Sequence, residues 1–224
     1  MKEYRFDRRY PLDRFKRRRE AWLRKLKLLD RPWLILGAAP TPTLPPDLFR
    51  THARIDINNA GKTAAELGLG RAALTFRASK KSWLEHDKID TEGLIWLRDR
   101  PTRFIRLYLL DKPYRHIGHV SALTRFDRDE IVRLVSGMSL KEIGDLGKVS
   151  NGVAAACYGL LFGVPEVVLA GISLTQTGHS YDQLGRHRLQ VEEDRLVLSH
   201  FAGDPRVATT EPELAELTGL RLKT

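Results

Sequence analysis

Residues 148–198 read KVSNGVAAACYGLLFGVPEVVLAGISLTQTGHSYDQLGRHRLQVEEDRLVL. Ser150-Asn151-Gly152 is a small polar turn, and it opens an apolar, Ala-rich helix. Gly163-Val164-Pro165 breaks that helix, and Glu166 to Ala170 reads as a buried strand. A Gly-rich loop with His179, Tyr181 and His187 follows, then a second helix. Helix, buried strand, polar loop and helix in this order is the signature of an open α/β sheet. In such sheets ligands sit outside the carboxyl ends of the strands.

Working outward, Trp33 to Leu36 is a short buried strand ending at Gly37-Ala38-Ala39-Pro40. Ala53 to Ile57 is a second, closed by Asn58-Asn59. Ala72 to Phe76 reads as a third and Phe104 to Leu110 as a fourth, with a helical Glu92 to Arg98 between them. Asp111 to Phe126, with His116 and His119, reads as a polar connector. Asp127 to Ser136 reads as a helix capped by Asp127. Val191 to Phe201 is helical, and a last strand at Arg206 to Ala208 leads to a Thr210-capped helix. The expected fold is α/β and Rossmann-like. A mainly parallel sheet carries helices on both faces, and a basic amphipathic helix precedes it.

The 224 residues suit one domain with a substantial core. An apolar fraction of 42% argues against wholesale disorder. Cys157 is the single cysteine, so no intramolecular disulfide forms, and its place in an apolar helix makes it a packed thiol. No signal peptide is read, and the apolar run Gly152 to Pro165 is too short to span a bilayer. A cytoplasmic protein is expected, peripheral at the inner face of the membrane if the basic segment docks there.

The net charge of +10 is local: residues 1–31 hold 13 Lys/Arg against 5 Asp/Glu, while the rest holds 25 against 23. A nucleic-acid-binding domain spreads such charge over its folded surface, so no nucleic-acid partner is expected. The chain divides into a basic amphipathic helix at 1–31 and an α/β domain at 32–224. Trp22, Leu26 and Leu29 recur at helical spacing within Leu12 to Leu29. That stripe serves either packing on the domain or docking on an anionic membrane surface.

Several residues carry chemistry. Gly37 lets the backbone approach a ligand closely. Asn58 can donate and accept, which suits a base or ribose as well as a turn. Ser150, Asn151 and Gly152 place exposed N–H groups and the helix dipole where an anion would sit. A Tyr hydroxyl such as that of Tyr181 can donate to a leaving phosphate. His179 or His187 can take a proton from a hydroxyl, worth roughly 100- to 10,000-fold in rate. Asp127 and Asp129 have the spacing of a carboxylate pair for a divalent cation, but they begin a helix, where acidic residues are expected.

These pieces, in this order, resemble the small bacterial sialyltransferases that use a CMP-activated sugar. Gly37 to Thr41 looks like that family's Gly-x-Gly-Pro-Ser-type turn, and Asn58 like its nucleotide-contacting Asn. Ser150-Asn151-Gly152-Val153 looks like its helix-opening turn. Gly163, Glu166, Gly171 and Ile172 fit its next strand and turn. The resemblance spans Trp33 to Gly219. It implies a metal-independent glycosyltransferase with no cofactor, the CMP-sugar being the donor substrate. Gly37, Asn58, Ser150, Asn151 and Gly152 would hold the nucleotide, Lys148 a donor carboxylate or phosphate, Tyr181 the leaving phosphate. His187 would act as base, with His179 as its rival. The implied partners are the nucleotide-sugar donor, a glycan or lipid-linked acceptor, and an anionic membrane surface through residues 1–31.

Departures from the family pattern are Ala38 and Ala39 in the first turn, Asn151 and Ser173 in place of Ser and Asp, and Thr175 at a Tyr position. They suggest a different sugar, such as Kdo, or an inactive relative. Two other readings stand beside this one. A pterin pyrophosphokinase-like enzyme shares the glycine turn and would use ATP and magnesium, giving Asp127 and Asp129 a role. A non-catalytic, basic-tailed binding protein would use residues 1–31 alone.

Overall fold

The computed structural model describes residues 12–78, 89–98, 102–110, 114–180 and 189–224. The strands are β1 (Trp33–Leu36), β2 (Ala53–Ile57), β3 (Ala72–Ala78), β4 (Thr91–Leu97), β5 (His119–Leu123), β6 (Val167–Ala170), β7 (Val207–Thr209) and β8 (Arg221–Leu222). The helices are α1 (Leu12–Lys25), α2 (Pro46–Thr51), α3 (Ala60–Glu66), α4 (Thr102–Leu109), α5 (Arg125–Ser136), α6 (Asn151–Leu161), α7 (Val191–His200) and α8 (Pro212–Thr218).

The strands form one sheet in the order β5-β4-β3-β2-β1-β6-β7-β8, and every pairing is parallel. The chain steps outward from β1 to β5, returns to the middle, and steps the other way from β6. The order therefore reverses between β1 and β6, where Trp33 lies against Val167 and Leu36 against Ala170. In open sheets of this kind, ligands sit outside the carboxyl ends of the strands at such a reversal.

Side chains along β1 alternate between the faces. Trp33 and Ile35 join the core of α1, α5, α6, α7 and α8, whereas Leu34 and Leu36 pack under α2 and α3. Helix α4 covers the same face as α2 and α3 farther out, over Leu94 and Trp96. Both faces are thus covered, and the two strands at the middle of the sheet, β1 and β6, are apolar throughout, as fits parallel strands buried on both sides. Small residues on α6 bring it close to the sheet. Tyr158 stacks near Trp33 with ring centroids 6.4 Å apart and meets Phe76 edge-on at 5.5 Å.

Helix α1 stops at Lys25 rather than Leu29, because Lys27 takes a left-handed turn (φ 53°). Leu23, Leu26, Leu28 and Leu29 are all buried in the main core, and Arg19 reaches Ser121 and the carbonyl of Ala122 on β5. Residues 12–29 therefore spend their apolar stripe on the domain. No described helix is long and apolar enough to cross a membrane.

The segment 92–98, expected to be helical, is strand β4, and 104–110, expected as a strand, lies largely in helix α4. Residues Gly93 to Leu97 are uniformly apolar because both sides are buried, so periodicity cannot separate strand from helix there. In α4 the buried residues are Ile105 and Leu109, four apart, which is a helical spacing. The connector at 111–126 contains the short strand β5, and β8 lies beyond the strand expected to be last. Helix α5 begins earlier than expected: Thr124 is its cap, and Asp127 closes a capping box by accepting from the Thr124 N–H at 2.9 Å. Helix α8 is preceded by Glu211 rather than Thr210.

Candidate functional site

The strand ends at the β1/β6 reversal are joined through backbone. The N–H of Gly37 donates to the Ala170 carbonyl at 2.7 Å, and that of Ala39 to the Gly171 carbonyl at 2.9 Å. A Cβ on Gly37 would collide with the Gly171 carbonyl oxygen, and Gly171 itself sits at φ 63° with Gly37 against it. Only a pair of glycines lets these two strand ends run so close.

Glu211, buried after β7, fastens both loops. Its Oε1 accepts from the Gly171 N–H at 2.6 Å and from the Thr43 N–H at 3.0 Å. Ser173, next along, donates to Glu213 at 2.7 Å. Ser180 donates its N–H to the Ala38 carbonyl at 3.0 Å and shares a 2.7 Å hydroxyl contact with Thr63 of α3. These bonds bring half-buried His179 alongside the β1 loop.

Asn58 ends β2 in the left-handed region (φ 55°), a conformation Asn tolerates better than most residues. Its Oδ1 accepts from the Ala78 N–H at 3.0 Å and from Asn151 Nδ2 at 3.1 Å. Those two hydrogen bonds both use the carboxamide oxygen, so the Nδ2 of Asn58 is not used in either. Asn151 stands in the first turn of α6, and its own Oδ1 accepts from Arg128 at 2.9 Å. The ends of β2 and β3, α5 and the N-terminus of α6 thus converge on one carboxamide bridge.

Ser150 caps α6 and accepts from the Val153 N–H. Its own N–H donates to Asp194 Oδ1 at 2.7 Å, and Glu193 accepts from the Leu146 N–H at 2.9 Å. The acidic first turn of α7 therefore holds the loop before α6 from below. Gly152 lies against Ile172, joining α6 to the loop after β6.

Cations surround the bridge. Arg77, fully buried, donates to the Asn59 side chain at 2.6 Å and to the Asn58 carbonyl at 3.3 Å. Lys148 and Arg128 lie within electrostatic reach of Asp129. Burial pushes the Asp129 carboxyl up, and Arg125, Arg128, Lys148 and Lys141 oppose that shift. Asp127 is engaged in the helix cap, and Asp129 lies among these cations. No group of three or more His, Cys, Asp or Glu able to hold a metal occurs among the described residues.

The structure therefore gathers Gly37, Asn58, Ser150, Asn151, Gly152 and His179 at the carboxyl ends of the strands. Tyr181 and His187 lie outside the described residues. The sequence reading missed Arg77, Arg128 and Glu211. The one signal for Arg77 was a lone charge at the end of an apolar strand. Arg128 was hidden between the two aspartates read as a carboxylate pair.

Beneath Asn58, a small cavity of about 20 Å³ is lined by Arg54, Asp56, Gly61 and Thr75 among others, room for about one water molecule. Burial raises the Asp56 carboxyl to about 6, against the pull of Arg54. Arg54 donates to Asp56 at 3.0 Å and to the carbonyls of Leu69 and Gly70, both at 2.7 Å.

No family model matches the chain, and no curated protein matches it. Solved structures do match. The sialyltransferase CstII with a trisaccharide acceptor and CMP covers 85% of this chain and 86% of its own, at 15% identity and a TM-score of 0.51. A single-residue variant of that enzyme with CMP gives the same coverage and identity, with a TM-score of 0.52. A further CstII structure, from Campylobacter jejuni with cytidine-5'-monophosphate, aligns over 85% of this chain and 84% of its own, at 15% identity and a TM-score of 0.49. The chain has the α/β, Rossmann-like fold of these sialyltransferases, here with an all-parallel sheet.

Proposed function

We propose that the protein is a glycosyltransferase that moves a sugar from a CMP-activated donor to an acceptor hydroxyl on a glycan or lipid-linked glycan. The observation that carries this is Asn58: a strand-end carboxamide at the end of β2 whose oxygen is tied to Asn151 at the N-terminus of α6. Structures of the same fold hold CMP.

In this reading Asn58 and Asn151 read the nucleoside, and the Gly37 turn gives its backbone room. The α6 N-terminus, with Arg128 and Lys148 near it, faces the phosphate and the carboxylate of a 2-keto sugar such as sialic acid or Kdo. Those fixed positive groups would stabilise the charge that builds on the leaving CMP without a metal ion. The acceptor oxygen attacks the anomeric carbon while the bond from that carbon to the phosphate oxygen breaks. Tyr181 donates to the leaving phosphate, and His187, or His179 in its place, takes the acceptor proton.

Asp127 in its capping box and Asp129 among cations weaken the magnesium-dependent pyrophosphokinase reading. The test is CMP binding in the presence of a chelator: wild type binds, and Asn58→Ala binds at least about tenfold more weakly.

A further inference from the structure

Four of the large apolar side chains exposed among the described residues fall in one short stretch. Phe104 is 46% exposed, Leu107 62%, Tyr108 43% and Leu110 64%. They lie on, or directly after, α4, whose only buried residues are Ile105 and Leu109. Those two anchor the helix over Trp96 and Ala122 at the β5 side of the sheet, and Thr102 accepts from the Ala122 N–H at 3.3 Å. Helix α4 is therefore well seated on one side and apolar on the other.

The same face is cationic. The helix sequence TRFIRLYL contains no acidic residue. The Arg103 guanidinium sits 5.1 Å over the Phe104 ring, and that of Arg98 lies 5.3 Å over Trp96 and 6.0 Å from Tyr108. Arg106 reaches the Gly118 carbonyl at 3.4 Å. Arginines lying on aromatic rings beside projecting Leu and Phe form the arrangement of a helix lying in a membrane interface. There the rings and aliphatic groups enter the acyl boundary, and the guanidinium groups stay at headgroup level. A second copy would bring arginine against arginine. Leu23 of α1, and Leu26, Leu28 and Leu29 after it, are in the core.

We infer that α4 docks the protein on an anionic lipid surface through Phe104, Leu107 and Leu110, with Arg98, Arg103 and Arg106 meeting the headgroup phosphates. The inference stands apart from the transferase reading, since it concerns another part of the molecule and a different ligand.

Co-sedimentation with vesicles tests it, using phosphatidylglycerol mixed into phosphatidylcholine and phosphatidylcholine alone. Wild type binds the mixed vesicles and leaves the neutral ones. Leu107→Glu/Leu110→Glu, at exposed positions, keeps its melting temperature and its CMP binding but partitions at least about tenfold more weakly. Arg103→Gln/Arg106→Gln loses the preference for anionic vesicles. Arg17→Gln/Arg18→Gln on α1 changes neither. Absence of wild-type binding, or unchanged binding in the double-Glu variant, overturns the inference. So does loss confined to the α1 variant. Self-association of the wild type that the double-Glu variant abolishes, without vesicle binding, would make this face a contact between copies instead.

Discussion

Asn58 and the Gly37–Gly171 pair show how much single residues decide here. Asn58 makes the left-handed turn, and its carboxamide oxygen accepts from Ala78 and Asn151. It was legible because Asn is one of few residues suited to that backbone, and because it ends a strand. Arg77 was not legible, since a buried guanidinium makes sense only once Asn58 and Asn59 are folded against it. Gly171 is the sharper test of the close approach of the two strand ends. At φ 63° a side chain is strained, and its Cβ would stand 2.9 Å from the Gly37 carbonyl oxygen. Gly171→Ala is expected to lower unfolding free energy by about 2 kcal/mol or more in chemical denaturation.

At the scale of elements, the helices and strands next to the β1/β6 reversal were readable and the outer ones were not. β1, β6 and α6 carry apolar runs bounded by Gly, Pro or Ser, so the sequence marks both what they are and where they stop. β4 and α4 exchanged identities because a strand buried on both faces has no alternation, and α4 buries only two side chains. β5 and β8 are short edge strands with too few residues to show a period. Helix α5 makes the capping logic measurable. Thr124 Oγ1 accepts from the Asp127 N–H at 3.0 Å, and Asp127 answers to the Thr124 N–H. Thr124→Ala should cost about 1 kcal/mol in thermal unfolding and leave CMP binding intact, since the box lies at the helix end. A larger loss of binding than of stability would show that the Asp127 region does more than cap.

Across the whole molecule, buried charge sets how stability follows pH. The amino ends of the strands are clasped by Glu166. Partial burial works against its ionisation, but hydrogen bonds from Lys223, Arg221 and His52 hold its carboxyl down to about 2. Burial lowers the pKa of His52, the hydrogen bond to Glu166 opposing that shift. Asp56, under α3, goes the other way. Its folded pKa of about 6 lies above the ordinary value of 3.8, so the native state holds this proton more tightly than the unfolded chain does. That contribution is full below about pH 4 and is lost as pH rises through about 6. Asp56→Asn cannot titrate. The stability of wild type relative to this variant should fall by roughly 2–3 kcal/mol between pH 4 and 7. A flat difference across that range would mean that Arg54 keeps Asp56 ionised throughout.

The central claim is that the carboxyl ends of β1, β2 and β6 hold CMP through Asn58. Calorimetric titration of the wild type and Asn58→Ala with CMP, chelator present, and with ATP and magnesium in parallel, tests it most directly. The account predicts metal-independent CMP binding that Asn58→Ala weakens at least about tenfold, with ATP–magnesium giving no signal. Binding of ATP–magnesium without CMP, or CMP binding indifferent to Asn58, would contradict it.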